Sequence, residues 1–248
     1  MQNPKLAGSN LIDYIPQTGL CPHNCLGCYY NSDGFYRTKD SPLIPTLEEA
    51  QGKIVRVNSG HDSNIQKDLV LSVTAQYPHK FYNTSIPNFD FDTPFRQGSR
   101  RNGAATQSKD FPAPVVFTCN PKDNRWIRPR LVDNLMMVRF RVSTWNLGIC
   151  DEAAFFFTSN DIPFVLTFMR YSNIDDVKHP EHYERRKNIL NIYYQIKPQF
   201  KAEIETRYTN NPLVVTCGGK TGYCCDCGNC ERFYWRKTQG EKYGNYCL

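Results

Sequence analysis

The run Asn10-Leu11-Ile12-Asp13-Tyr14-Ile15-Pro16, followed within a few residues by Cys21-Pro22-His23-Asn24-Cys25-Leu26-Gly27-Cys28, carries most of the information in this chain. Its largely apolar first part reads as a strand, and the C-x3-C-x2-C cysteines read as a ligand loop directly after it. Three thiolates are one fewer than a cubane [4Fe-4S] cluster ordinarily takes, so such a triplet leaves one iron open to a ligand that is not protein. The same thiols also read as half of a zinc knuckle, whose cysteine pairs are separated by two to four residues.

The spacing, and its place after a first strand, resemble the signature of the radical SAM superfamily. What the resemblance implies is an enzyme in which Cys21, Cys25 and Cys28 hold a [4Fe-4S] cluster whose open iron chelates S-adenosylmethionine (SAM). An electron from a donor such as a flavodoxin or ferredoxin would then break a C–S bond, and the resulting 5'-deoxyadenosyl radical would abstract hydrogen from a substrate. One position departs from the family pattern. The residue before the third cysteine is usually aromatic and packs near the adenine, but here it is Gly27, and the rings follow as Tyr29 and Tyr30. Either ring can take over the stacking role, Tyr29 being the site candidate, and each reads equally as an ordinary core or rim tyrosine.

Composition agrees with a folded protein: 248 residues suffice for one sizeable domain with a small appendage, and 40% hydrophobic with 13% aromatic residues argue against disorder. No run of 18 apolar residues exists and the first residues lack the apolar core of a signal peptide, so no membrane partner and a cytoplasmic location are expected. Eleven cysteines in such a chain are better explained by metal than by disulfides. Cys119, Cys150 and Cys247 stand alone and read as small buried hydrophobes.

The second cysteine group lies near the C-terminus, where Cys217, Cys224, Cys227 and Cys230 read C-x6-C-x2-C-x2-C and can close a four-thiolate site, with Cys225 spare. The close spacing favours a second [4Fe-4S] cluster, and many radical SAM enzymes carry one in a C-terminal extension; zinc is the alternative. Gly218, Gly219, Gly222 and Gly228 provide the backbone freedom that wrapping a metal demands.

Between the groups the chain alternates apolar runs and helical segments, as a parallel sheet with crossover helices does. Strands are expected at 53–58, 80–84, 115–119, 137–142 and 163–168, with a short one at 214–216. Helices are expected at 63–76, N-capped by Ser63, at 151–159, and at 181–196. With the resemblance this gives an α/β fold, a partial (β/α)6 radical SAM barrel over residues 1–205 and a cysteine-rich metal-binding tail over 206–248.

In parallel α/β folds ligands sit at the C-terminal ends of strands. After the second strand, Asn58, Gly60 and Asp62 stand where the family often has a Gly-Gly-Glu turn that holds the SAM amino group; Asp62 and Ser63 also read as caps for the next helix. Thr118, Asn120, Ser143 and Asn146 stand at the ends of strands four and five, from which the family draws contacts to ribose and methionyl carboxylate. Arg170, after strand six, reads as a contact to the substrate or SAM, or as a surface cation. His23 reads as a structural hydrogen-bonder, and His179 and His182 as solvent-exposed residues opening a helix.

The segment 85–114 is too long for a simple connector. Its Arg96, Arg100, Arg101 and Lys109, with Phe89, Phe91 and Phe95, suggest a phosphate-and-stacking surface for a nucleic-acid substrate, as an alternative to a solvated loop, and the net charge of +6 permits an anionic partner. No nucleophile elbow, P-loop or H-E-x-x-H pattern appears. The functional expectation is therefore a radical SAM enzyme; the alternative is a non-enzymatic, zinc-stabilised nucleic-acid-binding module.

Overall fold

The computed structural model describes residues 3–26, 28, 30, 40–91, 113–121, 126–187, 192–218 and 222–240. Seven strands form one parallel sheet: β1 (Leu11–Tyr14), β2 (Ile54–Val57), β3 (Lys80–Thr84), β4 (Val115–Cys119), β5 (Leu135–Val142), β6 (Phe164–Phe168) and β10 (Val214–Thr216), the last pairing with β6. The sheet is curled into a half-barrel with helices packed on it, an α/β architecture. β1, β2 and β3 are buried along their whole length, as the strands of a sheet covered on both faces must be.

Period-two alternation divides the strands between two cores. One face, bearing Tyr14, Val57, Tyr82, Phe117, Phe140 and Leu166, packs against α1 (Lys67–Thr74), α2 (Leu147–Thr158) and α3 (Pro198–Thr206) through residues such as Val70, Ala153, Phe157 and Ile204. The opposite face presents Leu11, Ile54, Phe81, Val116, Met137 and Val165, and is capped by Phe233 and Tyr234 of the C-terminal helix α5 (Asn229–Gln239). Those two rings are 4% and 3% exposed, and burial of each contributes about 1.5–3 kcal/mol. The tail is thereby anchored onto the sheet.

Two residues further along the same strands, the apolar layer of this second face gives way to a polar one. Asp13 and Arg56 are cross-strand partners in the β1–β2 register, and the guanidinium donates from Nε to Oδ1 at 2.6 Å and from Nη2 to Oδ2 at 3.1 Å. Asn83 and Arg139 continue the layer, with Arg139 Nη1 donating to Asn83 Oδ1 at 2.8 Å.

A second, antiparallel sheet follows β6: β7 (Arg170–Tyr171), β9 (Ile192–Ile196) and β8 (Tyr183–Lys187), in the order β7-β9-β8. This corrects the helix expected over 181–196. The apolar side chains there satisfy helical spacing, but Tyr183 and Ile196 are paired across the hairpin and buried together with Tyr171 in the main core. His179 accordingly caps a single 3-10 turn, Pro180–His182, whose last residue His182 stacks on Phe200 at 4.0 Å. The helix expected from Ser63 starts at Lys67 instead: Ser63 is fully buried, its N–H donates to Asn83 O, and Gln66 in the left-handed region precedes the first turn. Phe89 and Phe91 are core residues, Phe91 stacking on Tyr82 at 4.6 Å, so neither is offered to a nucleic acid. Phe95, Arg96, Arg100, Arg101 and Lys109 lie outside the described residues. Among the described residues no helix is long and apolar enough to cross a membrane.

Candidate metal and cofactor sites

The cysteine loop leaves β1 at its C-terminal end and folds back over the turn that leaves β2. Ile15 pairs with Leu43 by two backbone hydrogen bonds, and with Tyr30 they form a small core against which Cys21 and Cys28 pack. Tyr30 is 1% exposed, lies edge-on to His61 at 5.9 Å, and is pressed so closely onto Gly60 that a β-carbon there would stand 2.4 Å from its Cδ2. Gly60 is thus required by contact with the ring, not by backbone angle. Tyr30 serves as packing; Tyr29 lies outside the described residues.

Asp62 ties the turn together. Its Oδ1 accepts from Thr84 Oγ1 at 2.7 Å and Asn64 N at 2.9 Å, and its Oδ2 from Ser85 N at 2.6 Å and Ser85 Oγ at 2.8 Å. His23 Nε2 lies within ion-pairing distance of the same Oδ2, at 3.3 Å. A carboxylate already accepting four hydrogen bonds has little capacity left for a ligand.

Other polar atoms around the loop are in the opposite condition. Gln17 Oε1, Asn58 Oδ1 and His61 Nδ1 are buried with no hydrogen-bond partner, although Gln17 Nε2 reaches Ile65 O at 2.7 Å and Asn58 Nδ2 reaches Ser63 Oγ at 3.3 Å. Each buried polar group left unsatisfied costs about 1–3 kcal/mol, and these three lie in one neighbourhood, beside the turn after β2. Burial lowers the pKa of His61 and raises that of the Cys21 thiol to about 11.

Ser143 and Asn146 are committed internally. Ser143 Oγ bonds the hydroxyls of Tyr171 and Tyr183 at 2.7 and 2.8 Å, its N–H donates to Asn146 Oδ1 at 2.8 Å, and Asn146 Nδ2 donates to Arg141 O at 2.8 Å. The pair fastens the small sheet to the end of β5. Asn120 Oδ1 accepts from Arg141 Nη1 at 3.3 Å, and Thr118 is half-buried at the end of β4. Arg170 lies over the Tyr193 ring at 5.0 Å.

The tail cysteines come together on the polar layer of the second face. Cys217 continues β10, its N–H donating to Leu166 O at 2.9 Å. Cys224 and Cys227 bound the single-turn α4 (Cys224–Cys227), and Gly228, at φ +60°, makes the left-handed turn into α5 that carries Cys230. All four line one cavity of about 20 Å³, together with Arg56 and Arg139. A hydrogen bond between Cys217 and Cys227 pushes the first thiol up and the second down, and backbone N–H groups of Asn229 and Gly218 also favour the Cys227 thiolate. Burial raises Cys224. Cys225 is exposed beside Gly8, whereas Cys119 and Cys150 are buried as expected; Cys247 lies outside the described residues. Among the described residues no three His, Cys, Asp or Glu side chains already converge on one metal position.

Gln17, His61, Arg56, Arg139 and Arg232 were not singled out by the sequence reading. A usable signal existed for two of them: Arg56 and Arg139 are charges placed inside otherwise apolar strands, which marks a face that is buried yet polar. No family model, curated protein or solved structure matches the chain.

Proposed function

We propose that this chain is a radical SAM enzyme, and that its tail carries a second metal centre. The observation that carries the reading is a three-thiol loop at the C-terminal end of β1 in a curled parallel sheet, with Gln17 Oε1, Asn58 Oδ1 and His61 Nδ1 buried around it without a hydrogen-bond partner. The donor set fits the group: three thiols suit a cluster with one open iron, and Gln17 Oε1 and Asn58 Oδ1 are acceptors suited to the ammonium of an amino-acid ligand. When bound, the cluster and SAM supply reductive C–S cleavage and a 5'-deoxyadenosyl radical.

The chain's own residues contribute position and dryness. Ile15, Leu43 and Tyr30 pack behind Cys21 and Cys28 and keep water from that side of the loop. Asp62 holds the turn after β2 against the end of β3, so Asn58 and His61 are presented on a fixed frame. Ser143 and Asn146 act one step further away, by fixing the exit of β5. The substrate we favour contains a nucleobase; exposed Arg185, Arg186 and Lys187 on β8 and Arg170 on β7 provide cations for an anionic one.

Anaerobic purification followed by iron and acid-labile sulfide analysis tests the assignment. About four irons and four sulfides should be lost on replacing Cys21, Cys25 and Cys28 together by alanine. A colourless parent protein containing only zinc would support the nucleic-acid-binding module instead.

A further inference from the structure

Arg139 reaches from β5 to the tail. Its Nη2 donates to Cys230 Sγ at 3.2 Å while its Nη1 is held by Asn83 Oδ1 at 2.8 Å, and Asn83 is itself fixed by donating to Val57 O at 2.7 Å. The guanidinium is thus aimed at a cysteine sulfur by a chain of bonds running back into the sheet. On the tail side, Arg232 lies two residues beyond Cys230. Its Nη2 donates to Asn229 Oδ1 at 3.3 Å and its plane covers the Phe233 ring at 4.6 Å, yet its Nε is buried and has no acceptor. A buried N–H donor beside a cysteine cluster is a donor waiting for an anion.

A dication or a doubly positive cubane core bound by four thiolates retains two negative charges. Holding these in a small cavity partly shielded from water is favoured by nearby cations, and hydrogen bonds to the sulfurs tune such centres. We propose that Arg139 and Arg232 are positioning residues for an anionic metal–thiolate centre on Cys217, Cys224, Cys227 and Cys230, Arg139 donating to the Cys230 sulfur and Arg232 Nε to a sulfur on the Cys227 side. The inference rests on the reading that the tail quartet binds metal and adds the groups that balance its charge.

The test uses the full chain with Cys21, Cys25 and Cys28 replaced by alanine, so that metal binding reports on the tail. Zinc affinity is measured against a chromophoric chelator, anaerobic reconstitution with iron and sulfide forms a second arm, and the sulfur-to-metal charge-transfer band of the cobalt-substituted protein reports on the thiolates. R139M and R232M should each weaken metal binding by about 10- to 100-fold and shift the cobalt band. R139K and R232K should recover most of the affinity, and the metal-free variants should melt with the parent. Should R139M fail to fold, N83A, which frees the guanidinium without removing it, and R232M carry the comparison. Unchanged affinity in the methionine variants, or lysine variants as weak as the methionine ones, would overturn the arginine assignment alone. A parent that takes up neither zinc nor an iron–sulfur centre would overturn the tail-metal reading and this inference with it.

Discussion

Replacing Gly60 by alanine tests how the cysteine loop is held. The new β-carbon would stand 2.4 Å from Tyr30 Cδ2, 3.0 Å from Cε2 and 3.3 Å from Cγ, well inside the roughly 3.5–4.0 Å at which carbon atoms attract. Tyr30 is 1% exposed and packed against Ile15 and Leu43, so its ring cannot yield without emptying its own site. Overpacking of this kind costs about 1–3 kcal/mol, and the closeness of the Cδ2 contact places Gly60→Ala near the upper end. Tyr30→Ala removes all three clashing atoms. In that background Gly60→Ala should cost only a few tenths of a kcal/mol, leaving a coupling energy of about 2 kcal/mol. Urea midpoints of the parent, both single variants and the double variant supply the cycle, provided the m-values agree. Equal costs of Gly60→Ala with and without the tyrosine ring would refute the claim that the ring and the turn after β2 are pressed together.

Breaking the buried Asp13–Arg56 pair by Asp13→Ala should cost about 3–5 kcal/mol in urea unfolding, because it strands a buried guanidinium; replacing both residues with apolar ones should restore most of this. A cost for Asp13→Ala below about 1 kcal/mol would contradict the pairing. His61 gives a pH dependence whose sign follows from its lowered pKa. The unfolded imidazole titrates near 6.5 and the buried one lower, so stability present above that value is lost as pH falls through the window beneath it. His61→Gln should flatten this slope, and an unaltered slope would show that other groups produce it. Brief iodoacetamide treatment of the native protein at mildly alkaline pH should label the exposed Cys225 and spare Cys119 and Cys150, whose thiols burial pushes up to about 12. Peptide mapping by mass spectrometry would expose the opposite order.

The parallel sheet was legible because its strands are short apolar runs bounded by turn residues: 80–84, 115–119 and 214–216 are strands with those bounds. The segment 181–196 was not legible, since Tyr183, Tyr193, Tyr194 and Ile196 fit either period. Only the burial of Tyr183 and Ile196 beside Tyr171 decides for a hairpin, and that contact is non-local. The cysteine groups stand out by their spacing, and the turn after β2 by its place at a strand end together with the partial resemblance of Asn58, Gly60 and Asp62 to the family's turn. Whether a polar side chain there is spent or spare could not, because it depends on partners far along the chain: Asp62 is saturated by Thr84 and Ser85, whereas Asn58 Oδ1, four residues earlier, has none. Ser143 and Asn146 illustrate the same limit, since Tyr171 and Tyr183 claim the serine hydroxyl from another sheet.

Cys21, Cys25 and Cys28 are proposed to support reductive cleavage of SAM. Quantifying 5'-deoxyadenosine after incubating the reduced, anaerobic protein with SAM measures this directly. The parent should form it, replacement of any one of the three cysteines by alanine should abolish it, and Cys225→Ala should leave it intact. Formation undiminished in a Cys21, Cys25 or Cys28 variant, or its absence from an iron-replete parent, would contradict the account.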